Sequence, residues 1–167
     1  LQIFMLTELV LQNSEKYLKL FGGSWLLTDL YHHLIEEKFK IFYEDKLCLD
    51  SQHFHLKRIF ARDKDITLTH YEKLAVNLIF TDCADIRCKE DIDSTSHDYA
   101  SIGIITGLPN NTPLFLHVSF VKYLAAAHFS KNVELIPGYR FFYQKYNNVR
   151  FFFDMLLGKN SPAHTAV

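Results

Sequence analysis

Ile102-Gly103-Ile104-Ile105-Thr106-Gly107-Leu108-Pro109-Asn110-Asn111-Thr112-Pro113-Leu114-Phe115-Leu116-His117-Val118-Ser119-Phe120 is the stretch whose reading governs the rest of the chain. Two runs of β-branched or apolar residues, one ending at Ile105 and one spanning Leu114 to Leu116, flank a segment built from Gly, Pro and Asn. That pattern predicts a β-hairpin. Directly after it, Phe120, Tyr123, Leu124 and Ala127 recur at helical spacing, and Ala125-Ala126-Ala127 leaves room for a close neighbour. His117 falls at the junction, between the exit of the second strand and the entrance of the helix. An imidazole so placed can donate one ring N–H to an anion while the fold fixes its other nitrogen; the competing reading is a structural histidine.

Working outward, Leu27, Leu30, Tyr31, Leu34, Ile41 and Phe42 predict a long helix from about Thr28 to Lys46, with Glu36, Glu37 and Lys40 on its other faces. Thr28 or Ser24 is the expected cap, and Asp29 suits the positive N-terminal end. Between Leu47 and Leu68 the period is lost, so a loop carrying a short helix over Leu56, Ile59 and Phe60 is expected. Thr69-His70-Tyr71-Glu72 has the form of a reciprocal capping box, and Tyr71, Leu74, Ala75 and Leu78 predict a second helix running to about Phe80. Residues 81–97 are acidic and read as a solvated connection with one short helical piece. Residues 1–20 read as a helix end and a turn, Gly22-Gly23-Ser24 as punctuation, and the tail from Val133 as aromatic-rich helical stripes ending at Gly158. The expected class is mainly α with a small β-hairpin wing. Helix, helix, hairpin, helix is the order of a winged-helix module.

The 167 residues are enough for one compact domain or two small subdomains. Eighteen basic and nineteen acidic side chains leave a net charge of −1, so no bulk field draws the chain to nucleic acid or an anionic membrane. Fifteen Phe, nine Tyr and one Trp predict a core filled by large rings. Three cysteines, Cys48, Cys83 and Cys88, make no disulfide framework and suit a reducing compartment, with the cytoplasm as the default. No apolar run approaches the ~20 residues a membrane span requires. The opening, Leu1-Gln2-Ile3-Phe4-Met5-Leu6, has no initiator Met, basic leader or small-residue cleavage site, and reads as an excised segment.

Catalytic chemistry finds little footing. The glycines at 22, 23, 103, 107, 138 and 158 form no phosphate-cradling loop, and Gly158-Lys159 lacks both the earlier Gly and the following hydroxyl residue. Nucleotide hydrolysis by this chain alone is not expected. Cys83, Cys88 and His97 are three soft ligands of the kind zinc accepts, but no fourth stands at regular spacing, and no metal site is expected. His117 and Ser119 are two apart, on opposite sides if extended, with no nucleophile elbow around them; no catalytic residue is expected.

The block Pro113-Leu114-Phe115-Leu116-His117-Val118-Ser119-Phe120-Val121-Lys122-Tyr123-Leu124-Ala125 resembles the winged-helix signature of NACHT-type STAND NTPases, Phe-x-His-x-Ser/Thr-Phe-x-Glu-Phe/Tyr-x-Ala. Gly103-Ile104-Ile105 is similar to that family's Gly-Ile-Ile strand, and residues 30–41 to its Leu-Tyr-x-x-Phe-x-x-x-Lys helix. Residues 1–8 resemble the end of the small helical domain that precedes the module. Residues 149–154 and 161–167 resemble the helical linker and first repeat of arthropod NACHT proteins with ankyrin arrays. One position departs: the family's Glu is Lys122 here, a cation where the helix dipole favours a carboxylate.

The resemblance implies three parts: the end of a small helical domain (1–22), a winged-helix domain (24–130) and the start of a second helical domain (131–167). It implies a nucleotide-dependent signalling switch, in which ADP held between an upstream nucleotide-binding domain and the winged helix keeps the protein closed, and ATP releases it. His117 would sense the ADP β-phosphate, with Phe115 and Phe120 packing around it. The implied partners are that upstream domain, a downstream repeat array and further copies on activation, with no nucleic acid and no membrane. Two other readings stand beside it: a structural adaptor holding a repeat array, and a winged-helix nucleic-acid binder, which would need more cations than Lys122 and Lys131.

Overall fold

The computed structural model describes residues 26–47, 54–83, 100–107 and 109–159. The expectations for residues 1–22, Ser24, Cys48, the acidic connection from 84 to 97 and the tail from 160 lie outside these. Helix α1, Leu27–Ile41, forms where the spacing predicts, burying Leu30, Tyr31, Leu34, Ile35 and Phe39. Asp29 accepts the Leu26 backbone N–H at 2.8 Å, satisfying a donor that the helix start leaves open. Thr28 is not the cap: it is buried inside the first turn, and its hydroxyl has no hydrogen-bond partner among the described residues. The chain then widens into a π-helical turn, Phe42–Lys46, so the helical path does reach Lys46.

From residue 54 on, helix α2, Phe54–Ile79, corrects the expected loop and capping box: the short helix expected over Leu56, Ile59 and Phe60 is part of a much longer one, while residues 48–53 of the expected loop lie outside the described residues. The helix runs uninterrupted for 26 residues, and Thr69 lies inside it, its hydroxyl donating to the Asp65 carbonyl at 2.7 Å. A threonine can bond back to the preceding turn as readily as forward to a cap, so the four-residue motif does not mark a start. The N-terminal half carries no apolar period because most of its surface faces water, Ile59 and Ile66 included. Its anchor is Phe60, stacked on Tyr43 at 4.6 Å, with the Tyr43 hydroxyl donating to Asp63 at 2.6 Å.

The hairpin is present, but its first strand begins at Ile105, where the expected apolar run ends: residues 102–104 form a turn and bend, and Gly107, expected in the turn, closes the strand. Strand β1, Ile105–Gly107, pairs antiparallel with β2, Leu114–Phe115, with Ile105 opposite Phe115 and Gly107 opposite Leu114, an irregular register. Between them Pro109–Asn111 makes a 3-10 turn in which Asn110 takes φ +52°, and the Thr112 N–H returns to the Pro109 carbonyl at 2.9 Å. Asn tolerates that left-handed conformation better than other side chains do. Gly103, at φ +82°, turns the chain into the hairpin, and the Leu116 N–H extends the pairing to the Ile104 carbonyl at 2.8 Å.

Helix α3, Val118–Lys131, is the centre of the molecule, buried from Phe120 to Phe129 except at Lys122. The alanines do what their size allows: Ala125 and Ala126 are fully covered, and α2 and helix α4, Asn147–Lys159, both pack on α3. The segment from Val133 to Tyr146 is not helical stripes but three 3-10 turns, Val133–Leu135, Gly138–Phe142 and Gln144–Tyr146; Pro137 and Gly138 break any longer helix. Helix α4 does not stop at Gly158 but continues to Lys159. The aromatic core is as the composition predicts. Phe80 stacks on Tyr146 at 4.2 Å and meets Phe129 edge-on at 5.2 Å, while Tyr31 contacts Phe120, Tyr123 and Phe152, each at 5.2 Å. The result is a mainly helical fold with a small two-stranded antiparallel sheet. No helix among the described residues is long and apolar enough to cross a membrane.

Candidate functional site

His117 leaves β2 in extended conformation, φ −160° and ψ 147°, and is the N-cap of α3. Its Nδ1 accepts the Ser119 backbone N–H at 3.0 Å and lies 2.7 Å from the Ser119 hydroxyl. A backbone N–H can only donate, so Nδ1 carries no proton and the neutral ring holds its proton on Nε2. The fold therefore selects the tautomer. Partial burial, with Lys122 nearby, holds the imidazole below its ordinary pKa, and a protonated Nδ1 would break the cap. Ser119 also opposes the effect of burial on Tyr31, whose phenol is pushed up on balance. Imidazole, hydroxyl and phenol thus meet where the hairpin feeds the helix, and His117 is half-buried, neither sealed nor fully open.

The other expected residues fall as follows. Phe115 is partly buried against the core and meets Tyr71 edge-on at 6.4 Å; Phe120 is buried against Tyr31. Lys122 is half-buried one turn beyond the cap. Cys83 is buried beside Asp82, while Cys88 and His97 lie outside the described residues. Asp82 itself accepts from Lys145 at 2.6 Å and from the Tyr146 hydroxyl at 2.8 Å, and these two donors hold its carboxyl at about 2.

A second constellation was not legible from spacing. A cavity of about 380 Å³ opens among α1, α2, α3 and α4, and His117 does not line it. Glu72 of α2 stands in its wall with 2% of its side chain exposed, paired with Lys131 of α3 at 2.6 Å. Glu36 of α1 faces the same space and is bound through both oxygens by Lys64 of α2, each at 2.9 Å. The two ion pairs join residues 59 and 28 apart in the chain, so no local motif announces them. The one available signal was a glutamate beside Tyr71 at the edge of an apolar stripe; the capping-box reading assigned that carboxylate a local task instead.

Comparison with protein-family models, with curated proteins and with solved structures finds no match to this chain.

Proposed function

We propose that the chain is the regulatory segment of a nucleotide-dependent switch of the kind found in NACHT-type STAND NTPases, a signalling part that is not itself an enzyme. Residues 24–130 act as its winged-helix module in the cytoplasm, and residues 131–167 lead towards a repeat array. The reading rests on the state of His117. Because Ser119 takes Nδ1, the ring N–H is confined to Nε2, a donor oriented by the cap at the start of a helix whose dipole favours anions. ADP held by an upstream nucleotide-binding domain supplies such an anion in its β-phosphate. A donor that meets the diphosphate only when the two domains are closed stabilises the closed state, and its loss shifts the population towards the open, oligomer-forming one.

The nucleic-acid reading is less well supported, since α3 is buried nearly all round and offers no face to a groove. The test uses the polypeptide carrying the upstream domain, titrated with ADP. His117→Ser keeps a capping oxygen and removes the imidazole, and should weaken ADP binding roughly 10- to 100-fold, the scale of one hydrogen bond to a charged group. Unchanged ADP affinity and unchanged oligomerisation would reject the sensor and leave a structural adaptor.

A further inference from the structure

The cavity among α1, α2, α3 and α4 has a chemistry of its own. Its floor is apolar, with Leu68, Leu124 and Ala127 contributing, yet Glu72 is buried in its wall. A carboxylate removed from water needs donors on both oxygens. Oε1 receives one from Lys131, while Oε2 has none among the described residues. Tyr123 lines the same wall, 6% exposed, and its hydroxyl likewise has no hydrogen-bond partner among the described residues.

The balance of charge points one way. Lys131 is 54% exposed and shares its charge with water, so it compensates Glu72 incompletely, and burial pushes the Glu72 carboxyl above its usual range. Burial also pushes the Tyr123 phenol up, and Glu72 and Glu36 push it further. Glu36 is already satisfied by Lys64. What remains unfilled is one carboxylate oxygen, which can only accept, and one phenol hydroxyl, which can accept through its oxygen and donate its own proton, above an aliphatic floor. Lys64 and Lys131 line the same space, but each is engaged by a glutamate, so an anion would have to compete for a cation already paired, whereas a cation meets the Glu72 oxygen that Lys131 leaves open.

We propose that this cavity binds a primary alkylammonium group, which donates to Glu72 Oε2 and the Tyr123 hydroxyl oxygen while its carbon stem lies on Leu68, Leu124 and Ala127. The volume suits a small organic ligand. A free amine and the lysine side chain of another protein share this chemistry.

The experiment titrates the full 167-residue chain with n-butylammonium chloride and with Nα-acetyl-lysine amide. Butanol and sodium butyrate at matched ionic strength are the controls, read by calorimetry and backbone amide shifts. Saturable binding is expected for the ammonium probes alone, with shifts centred on Glu72 and Tyr123. Binding of both probes assigns a lysine side chain; binding of butylammonium alone assigns a free amine. Glu72→Gln should weaken binding at least ten-fold and Tyr123→Phe several-fold, whereas Lys131→Met, which removes the competing cation, should tighten it. Circular dichroism establishes that each variant is folded, and if Glu72→Gln is not, the other two decide. Equal binding of butanol or butyrate, shifts remote from the cavity, or variants indistinguishable from the parent would overturn the proposal.

Discussion

At His117 one nitrogen does the work of a helix cap, and this makes the residue sensitive to acid. Its pKa is depressed in the fold, so below its ordinary value near 6.5 the unfolded chain takes up a proton that the folded ring refuses. The stability this residue contributes is present above that value and is lost as pH falls through the folded pKa. Denaturant melts at pH 7.5 and 5.5 should therefore show a smaller loss in His117→Ser than in the parent. At neutral pH, His117→Ala should cost about 1 kcal/mol, the worth of an N-cap, and Ser should recover most of it. Asp82 behaves in the same sense at lower pH. Lys145 and the Tyr146 hydroxyl favour its ionised form, so the stabilisation holds above about pH 4 and is lost as pH falls towards 2. Asp82→Asn should flatten the melting temperature across that window, and equal acid sensitivity in both proteins would remove the carboxylate from the account. The position of His117 was legible, since turn residues and the following helical stripe bracket it. The identity of its bonded nitrogen was not, because that depends on a distance of a few ångströms.

Among the elements, the hairpin, α1 and α3 were readable because each has a period or a turn chemistry of its own. Helix α2 was half readable. From Tyr71 onward it lies against α3 and its apolar residues keep the helical step; before that, Lys57, Arg58, Ile59 and Arg62 face water, and an exposed helix leaves no stripe to find. Thr69 tells the two descriptions apart. As a mid-helix exposed residue, its replacement by Ala should raise stability by about 0.5 kcal/mol, whereas a true cap would lose about 1 kcal/mol. Chemical denaturation of Thr69→Ala measures the sign directly. Gly103 gives a second element-level test. Its φ of +82° disfavours any side chain, and a Cβ there would stand 3.7 Å from the Lys38 ammonium, so strain and not crowding is the obstacle. Gly103→Ala should destabilise by about 1 kcal/mol through the backbone alone.

For the molecule as a whole, one hydrophobic cluster joins Tyr31, Tyr71 and Phe80 to Phe129, Phe141 and Phe152. The composition foretold the rings, but not that residues on both sides of the proposed 130/131 boundary would share them; such sharing depends on how 3-10 turns fold α4 back, and Pro137 with Gly138 was the only local sign. Deleting residues 132–159 should therefore unfold the remainder, since Tyr31, Phe80 and Phe129 would lose their ring partners. A cooperative melt retained by the truncated chain would instead mark an independent unit. Phe80→Ala should cost about 3–5 kcal/mol, a large part of the 5–15 kcal/mol typical of a whole domain. The widened turn at Phe42–Lys46 bears on the same assembly. At its last residue, Lys46 donates to the Ser101 carbonyl on the approach to the hairpin. Excising a single residue there would restore ordinary pitch and swivel the end of the helix by about 100°, carrying the lysine away from its mooring. Side-chain exchanges along this stretch leave the count intact, so insertions and deletions are the lesions to which the join between the first helix and the ribbon is most vulnerable.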